Sequence, residues 1–252
     1  MRVILTEDML DRLDQMRIYT SVNGTRRLKP GDPIHFNKDT IIGPYCAILN
    51  GFSLPHMGSF SYTQSPLPEG MKVGRYCSIG SFASIIGGNH PTDYISTSAF
   101  SYDAGMAIFS KSLEDDGISN FRRHGLKLSR PNRHELPVIG NDVWLGNHVT
   151  LARGITLGDG CVIAASSVVT KSVPPYAIIG GNPARIIRMR FPEKLIERLQ
   201  RSQWWRYKFS AFSEMNYNQP EMFLDLFEQA LIRRTIAPMP EQTQTLAEIL
   251  NV

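Results

Sequence analysis

The chain has 252 residues, 42% hydrophobic and 20% charged, with a formal net charge of +4. That suits one domain with a sizeable core, or one domain plus an appendage, and excludes wholesale disorder. The apolar runs are short and broken by Gly, Pro or charge, so no membrane-spanning helix is expected, and residues 1–10 lack the apolar stretch of a signal peptide. Three scattered cysteines exclude a disulfide framework and a cysteine-rich zinc site and point to a reducing, cytoplasmic setting, while the mild positive charge suits an anionic ligand without requiring nucleic acid.

From the N-terminus, Met9, Leu10, Leu13 and Met16 recur at helical spacing after Thr6, a candidate cap, within an irregular segment over residues 1–38. A six-residue period begins at Ile42 with IGPYCA and ILNGFS and then drifts. Residues 54–70, rich in Pro, Gly and Ser, read as a loop. At Val73 the period returns as VGRYCS, IGSFAS, IIGGNH. Residues 91–137 interrupt it with an excursion too long for a plain connection. Its basic part carries Arg122, Arg123, Lys127, Arg130 and Arg133, either a solvated loop or a surface for an anionic acceptor or phosphates. From Ile139 the chain reads IGNDVW, LGNHVT, LARGIT, LGDGCV, IAASSV, VTKSVP. Beyond Ala184 the hexamers stop. Pro192 opens an amphipathic helix carrying Leu195, Ile196 and Leu199, and Pro220 opens another carrying Phe223, Leu226, Phe227, Ala230 and Leu231. Residues 238–252 read as a loosely held tail.

In each hexamer of the longest block the first slot is aliphatic, from Ile139 to Val169, and across all blocks the fifth slot is small or apolar, including Cys46, Cys77 and Cys161. Only Phe52 and Asn89 depart from the fifth-slot rule. Two interior slots per six residues suit a flat coil, three hexamers to a turn, stacked into a solenoid over residues 39–190. The glycines of the second slot suit the bends between short strands. All three cysteines then read as buried structural thiols.

Residues 139–188, with NDVWLG and DGCVIAASSVVTKSVPPYAIIGGNPAR, followed by Trp204 and Trp205, resemble the xenobiotic acetyltransferase branch of the hexapeptide acyltransferases. That branch includes streptogramin and chloramphenicol acetyltransferases and many surface-polysaccharide O-acetyltransferases. The resemblance covers roughly residues 40–210. It implies a left-handed parallel β-helix with a long excursion loop and C-terminal α-helices over residues 191–252. It also implies acetyl-CoA as co-substrate, no metal, and a homotrimer whose active sites lie between subunits.

His90, in GGNHPTDY, stands where this family carries its catalytic histidine, as a general base taking the proton of an acceptor hydroxyl. The plainer reading is a loop histidine bonded to backbone. Asp93 either orients the imidazole or forms the turn after Pro91. Asn89 fixes the loop or contacts the acceptor. Gly146 and Asn147 match the family's place for a backbone donor to the oxyanion, and Trp144 either walls the pocket or packs between coils. Ala165, Thr170 and Lys171 match positions lining the pantetheine groove, and Arg185 and Arg188 match positions at the nucleotide end, where cations meet phosphate. The remaining histidines, His35, His56, His124, His134 and His148, take no role. Trp204 and Trp205, with Tyr207 and Phe209, read as packing of the C-terminal helix onto a coil.

The leading expectation is direct O-acetylation of a sugar hydroxyl in a surface polysaccharide or its precursor. GNHPTDYISTSAF, with SFSYTQSPL before it, looks more like those enzymes than like drug-modifying ones. The alternative is acetylation of a hydroxyl-bearing antibiotic. A γ-carbonic-anhydrase-like metalloenzyme needs three histidines on neighbouring coils, and only His90 and His148 lie in hexamers. A non-catalytic scaffold would not need His90.

Overall fold

From Val73 to Val169 each first-slot aliphatic ends a two-residue strand whose partner lies one coil away. The computed structural model describes all residues except 89, 104, 123 and 125–134. It separates into two units, one formed by residues 1–85 and 135–252 and the other by residues 86–134. In the first unit, Val73 pairs with Ile139 and Ile139 with Leu157; Ile79 pairs with Leu145 and Leu145 with Ile163; Ile85 pairs with Leu151 and Leu151 with Val169. All of these pairings are parallel, and they form three ladders, one for each hexamer phase. Three hexamers therefore make a coil, and the coils stack as expected of a solenoid. The first-slot residues from Ile139 to Val169 are buried, and among the first-slot residues of these ladders only Ile85 is half-exposed.

The bends differ from the sequence expectation. Glycines of the second slot do not make them. The left-handed residue sits in the fourth slot instead: Tyr45, Tyr76, Phe82, Asp142, His148 and Ser166, with Gly154 and Gly160 at the same place. Second-slot glycines answer to backbone crowding between coils. A Cβ on Gly74 would lie 2.3 Å from the Gly140 carbonyl oxygen, and one on Gly146 would lie 2.6 Å from the Ala165 nitrogen.

Residues 54–70 are not a loop but another stretch of coil. Strands His56–Met57 and Tyr62–Thr63 pair in parallel with Lys72–Val73 and Ser78–Ile79. The loop reading failed because this coil is filled partly by hydroxyls. Ser61 Oγ donates to the Gly74 carbonyl at 2.7 Å and accepts from the Cys77 N–H at 2.9 Å. Ser65 Oγ donates to the Gly80 carbonyl at 2.6 Å and accepts from the Ala83 N–H at 2.7 Å. The buried hydroxyls of Ser61, Thr63 and Ser65 thus all have main-chain partners, which offsets the cost of taking them out of water.

The N-terminal helix Glu7–Gln15 forms as expected, with Thr6 Oγ1 accepting from the Met9 N–H and Leu10 and Leu13 buried. A strand at Arg2–Ile4 pairs antiparallel with Pro33–His35. The tail is a correction. Residues Leu246–Leu250 form a helix with a Thr245–Glu248 capping box, packed against Glu7–Gln15, and Leu246 and Leu250 are buried in the solenoid's own core cluster. The other C-terminal helices, Glu193–Ser202 and Pro220–Ile232, build a separate core from Tyr176, Leu195, Leu199, Phe212, Phe223, Leu224 and Phe227. Leu226, expected on the buried stripe, is exposed, and Leu224 takes its place. Trp204 packs on Tyr76, whose hydroxyl donates to the Tyr207 carbonyl at 2.6 Å. In the second unit, a helix at Ala107–Asp115 packs Phe109 edge-on to Phe100, which also meets Phe121.

Two outcomes follow from the packed coils. Gly74→Ala costs about 2–3 kcal/mol by forced backbone displacement, lowering Tm by roughly 5–10 °C in a thermal melt. Burial pushes the thiols of Cys46, Cys77 and Cys161 up to about 12. Native protein at pH 8 should therefore resist iodoacetamide, with mass spectrometry showing three adducts only after denaturation.

Candidate active site

His90 lies in the second unit, exposed, just before the buried Pro91. Its Nδ1 is 2.7 Å from the Thr97 carbonyl oxygen and 3.0 Å from the Tyr102 hydroxyl. The Tyr102 ring stands perpendicular to the imidazole, with centroids 5.7 Å apart. A carbonyl oxygen only accepts, so the short Thr97 contact places the neutral ring's proton on Nδ1. Nε2 then holds the lone pair, and no described residue hydrogen-bonds it. Such an imidazole can receive a proton from a bound hydroxyl.

Asp93 is exposed, and no hydrogen bond or ion pair joins it to His90. The turn after Pro91 brings a main-chain oxygen to the ring, which residue types do not encode. Asn89 lies outside the described residues, as does His134. Tyr102 was missed because it stands twelve residues beyond His90, within an excursion that has no period.

The Gly146–Asn147 corner lies in the first unit. The Gly146 N–H donates to the Ile163 carbonyl at 2.9 Å, so it is already committed to the ladder. Asn147 Oδ1 accepts from the Ser81 N–H at 2.9 Å and latches two coils together. The Asn147 N–H meets no acceptor among the described residues, so of the pair only this donor remains available to an oxyanion. Trp144 points outward, 58% exposed, between Ser78 and Val162 of the neighbouring coils. It lines a shallow groove of about 420 Å³ together with Arg188, Arg190 and Phe191.

The expected phosphate-binding cations differ from Arg190, Arg26 and Arg198. Arg185 and Arg188 are exposed on the strand Ala184–Met189, and their Nη1 atoms donate only to the carbonyls of Ala184 and Met189. Lys171 is exposed after strand Val168–Val169, beside half-buried Thr170, and Ala165 is exposed at the corner facing Gly146. By contrast, Arg190 donates to Asp142 Oδ2 at 2.8 Å and to the Gly160 carbonyl at 2.7 Å, and lies over the rings of Tyr176 and Phe191. Burial pushes the Asp142 carboxyl up, opposed by Arg190. Arg26 and Arg198 are likewise held by carboxylates. Arg185 and Arg188 thus keep charge that no carboxylate of the described residues neutralises, as an anionic ligand requires.

His148 is exposed and stacks on Phe82 with centroids 4.6 Å apart. Among the described residues no three His, Cys, Asp or Glu side chains converge as a metal-ligand set. No helix among them is long and apolar enough to cross a membrane.

Residues 137–171 match the family model described as bacterial transferase hexapeptide (six repeats). A chloramphenicol acetyltransferase of Klebsiella aerogenes is 36% identical over 166 residues, covering 65% of this chain and 72% of the relative. A virginiamycin A acetyltransferase of Staphylococcus aureus is 34% identical over 200 residues, covering 77% of this chain and 82% of the relative. A probable macrolide acetyltransferase of Lysinibacillus sphaericus is 37% identical over 142 residues, covering 54% of this chain and 68% of the relative. With its stacked hexamers and this similarity over most of its length, the chain belongs to the hexapeptide-repeat acetyltransferases, in their xenobiotic acetyltransferase branch.

Proposed function

We propose that the chain transfers an acetyl group from acetyl-CoA directly to a hydroxyl of a small hydroxylated antibiotic, with His90 as general base. The observation that carries this is the anchored Nδ1 of His90, which leaves Nε2 as the basic atom. Nε2 takes the hydroxyl proton as the acceptor oxygen bonds to the thioester carbonyl carbon. The tetrahedral oxyanion is met by a main-chain donor, for which the Asn147 N–H is the candidate. Collapse breaks the carbon–sulfur bond, and the imidazolium returns its proton to the leaving thiolate, so no charge or proton is left over. Asp93 stays in this reading as a residue of the turn after Pro91.

Acetyl-CoA suits the residues present. Ala165 and Thr170 leave room beside a coil edge for an extended thiol arm, and Lys171, Arg185 and Arg188 supply cations for its phosphates. Trp144 supplies an exposed aromatic wall. The antibiotic reading takes first place over the sugar reading because the relatives named above act, by their names, on chloramphenicol, virginiamycin and macrolides. A sugar hydroxyl of a surface polysaccharide is the second reading, supported by the likeness of GNHPTDYISTSAF to polysaccharide acetyltransferases. With the family come three further proposals: a left-handed winding of the solenoid, a homotrimer with inter-subunit sites, and a cytoplasmic location.

The test is acetyl transfer from acetyl-CoA to a panel of chloramphenicol, a streptogramin A, nucleotide sugars and oligosaccharides, read by mass gain. An acetylated antibiotic is expected, with His90→Ala slower by a factor of about 10² or more. Acetylation of the sugars alone would overturn the antibiotic reading, and undiminished transfer by His90→Ala would overturn the base. Arg185→Ala and Arg188→Ala should each raise KM for acetyl-CoA about tenfold, the weight of one charged hydrogen bond, with kcat little changed.

A further inference from the structure

We infer that Arg190, held by Asp142, is a positioning residue for Arg188. This rests on the proposed meeting of Arg188 with the phosphates of acetyl-CoA. Beyond Ala184 every residue of the strand Ala184–Met189 is exposed, so its side chains take no hold in a core. The strand pairs antiparallel with Ala177–Gly181, but the register shifts midway: Ile179 pairs with Ile186 and Ile178 with Arg188, which leaves Ile187 as an extra residue. Such a bulge bends the strand and re-aims the residues beyond it. Arg185, opposite Gly180, is placed by the hairpin turn, whereas Arg188 lies past the bulge and needs an anchor of its own. Arg190 supplies it. Its N–H donates to the Tyr176 carbonyl at 2.8 Å, and its Nη1 donates to the Gly160 carbonyl at 2.7 Å and to Asp142 Oδ2 at 2.8 Å. Asp142, Gly160 and Tyr176 are the left-handed corner residues of successive coils, so one residue ties the end of an exposed strand to all of them. Its guanidinium also lies over the rings of Tyr176 and Phe191. Arg188, two residues earlier, lines the same groove as Asp142, Trp144 and Arg190. The tie at Arg190 thus sets where along the groove Arg188 presents its charge.

The sign of one substitution separates positioning from plain electrostatics. Asp142→Asn removes a negative charge beside the groove, and charge alone would then draw the polyanion CoA in more tightly. Positioning demands the reverse. Calorimetric titration of the purified protein with CoA reads this without acceptor or turnover, so His90 plays no part in it. Arg188→Ala should raise the Kd about tenfold, the weight of one charged hydrogen bond. Asp142→Asn should raise it about three- to tenfold in the wild-type background and less than about twofold in the Arg188→Ala background, because its effect passes through Arg188. Arg190→Lys keeps the charge but not the planar fork that bonds and stacks at once, and should weaken binding in the same way. It replaces Asp142→Asn if that variant does not fold. Unchanged or tighter binding in the folded variant would overturn the inference, as would losses that simply add in the double variant, the mark of a general loosening. If Arg188→Ala itself leaves the Kd unchanged, the phosphate reading fails and the inference falls with it. If Arg188→Ala weakens binding and Asp142→Asn does not, the inference fails alone.

Discussion

Everything in the solenoid depends on how closely one coil's backbone lies on the next. Parallel strands one coil apart are about 4.8 Å from each other, and at the corners this leaves no space for a Cβ. Gly43, Gly58, Gly74, Gly140, Gly146 and Gly158 all occupy such points, each with an ideal Cβ falling within 2.8 Å of a neighbouring coil's atoms. The direction change is carried two residues later by a left-handed residue. Crowding and bending are thus assigned to different slots of the hexamer, and the period survives wherever both are met.

The left-handed slot holds bulky residues, which costs conformational energy of about 1–2 kcal/mol each. Along one corner the aromatic side chains offset that cost by stacking. Tyr45, Phe60 and Tyr76 form a column with centroid spacings of 5.1 and 4.9 Å. Trp204 and Phe209 pack against the same column and tie the C-terminal segment to the coils. Inside, Ser61, Thr63 and Ser65 replace aliphatics in one coil without breaking it, because their hydroxyls bond to main-chain groups of the same or the next coil.

The proposed chemistry draws on the same main-chain geometry. A carbonyl, that of Thr97, orients the imidazole, and the corner at Asn147 retains an N–H that the ladder does not consume. In that proposal side chains supply the remainder through charge. Arg190 is spent on Asp142 and on aromatic faces, whereas Arg185 and Arg188 are left without carboxylate partners and remain free to meet an anion.

From sequence alone, the period of six determined the stacked coils and the buried cysteines, because a repeat needs the same residue type at each equivalent position and so writes itself into the chain. The resemblance added acetyl transfer and the set of site residues. The hydroxyl-filled coil at residues 54–70 and the docked helix Leu246–Leu250 were hidden from sequence. Ser and Thr look like loop until their partners are known, and a five-residue helix has too few turns to show a stripe. Only the tertiary structure decided that Thr97 and Tyr102, not Asp93, meet the imidazole. It alone separated Arg190, held by a carboxylate, from Arg185 and Arg188. Those choices depend on where a turn directs a carbonyl and which coil lies beside which strand, and residue identity does not record either.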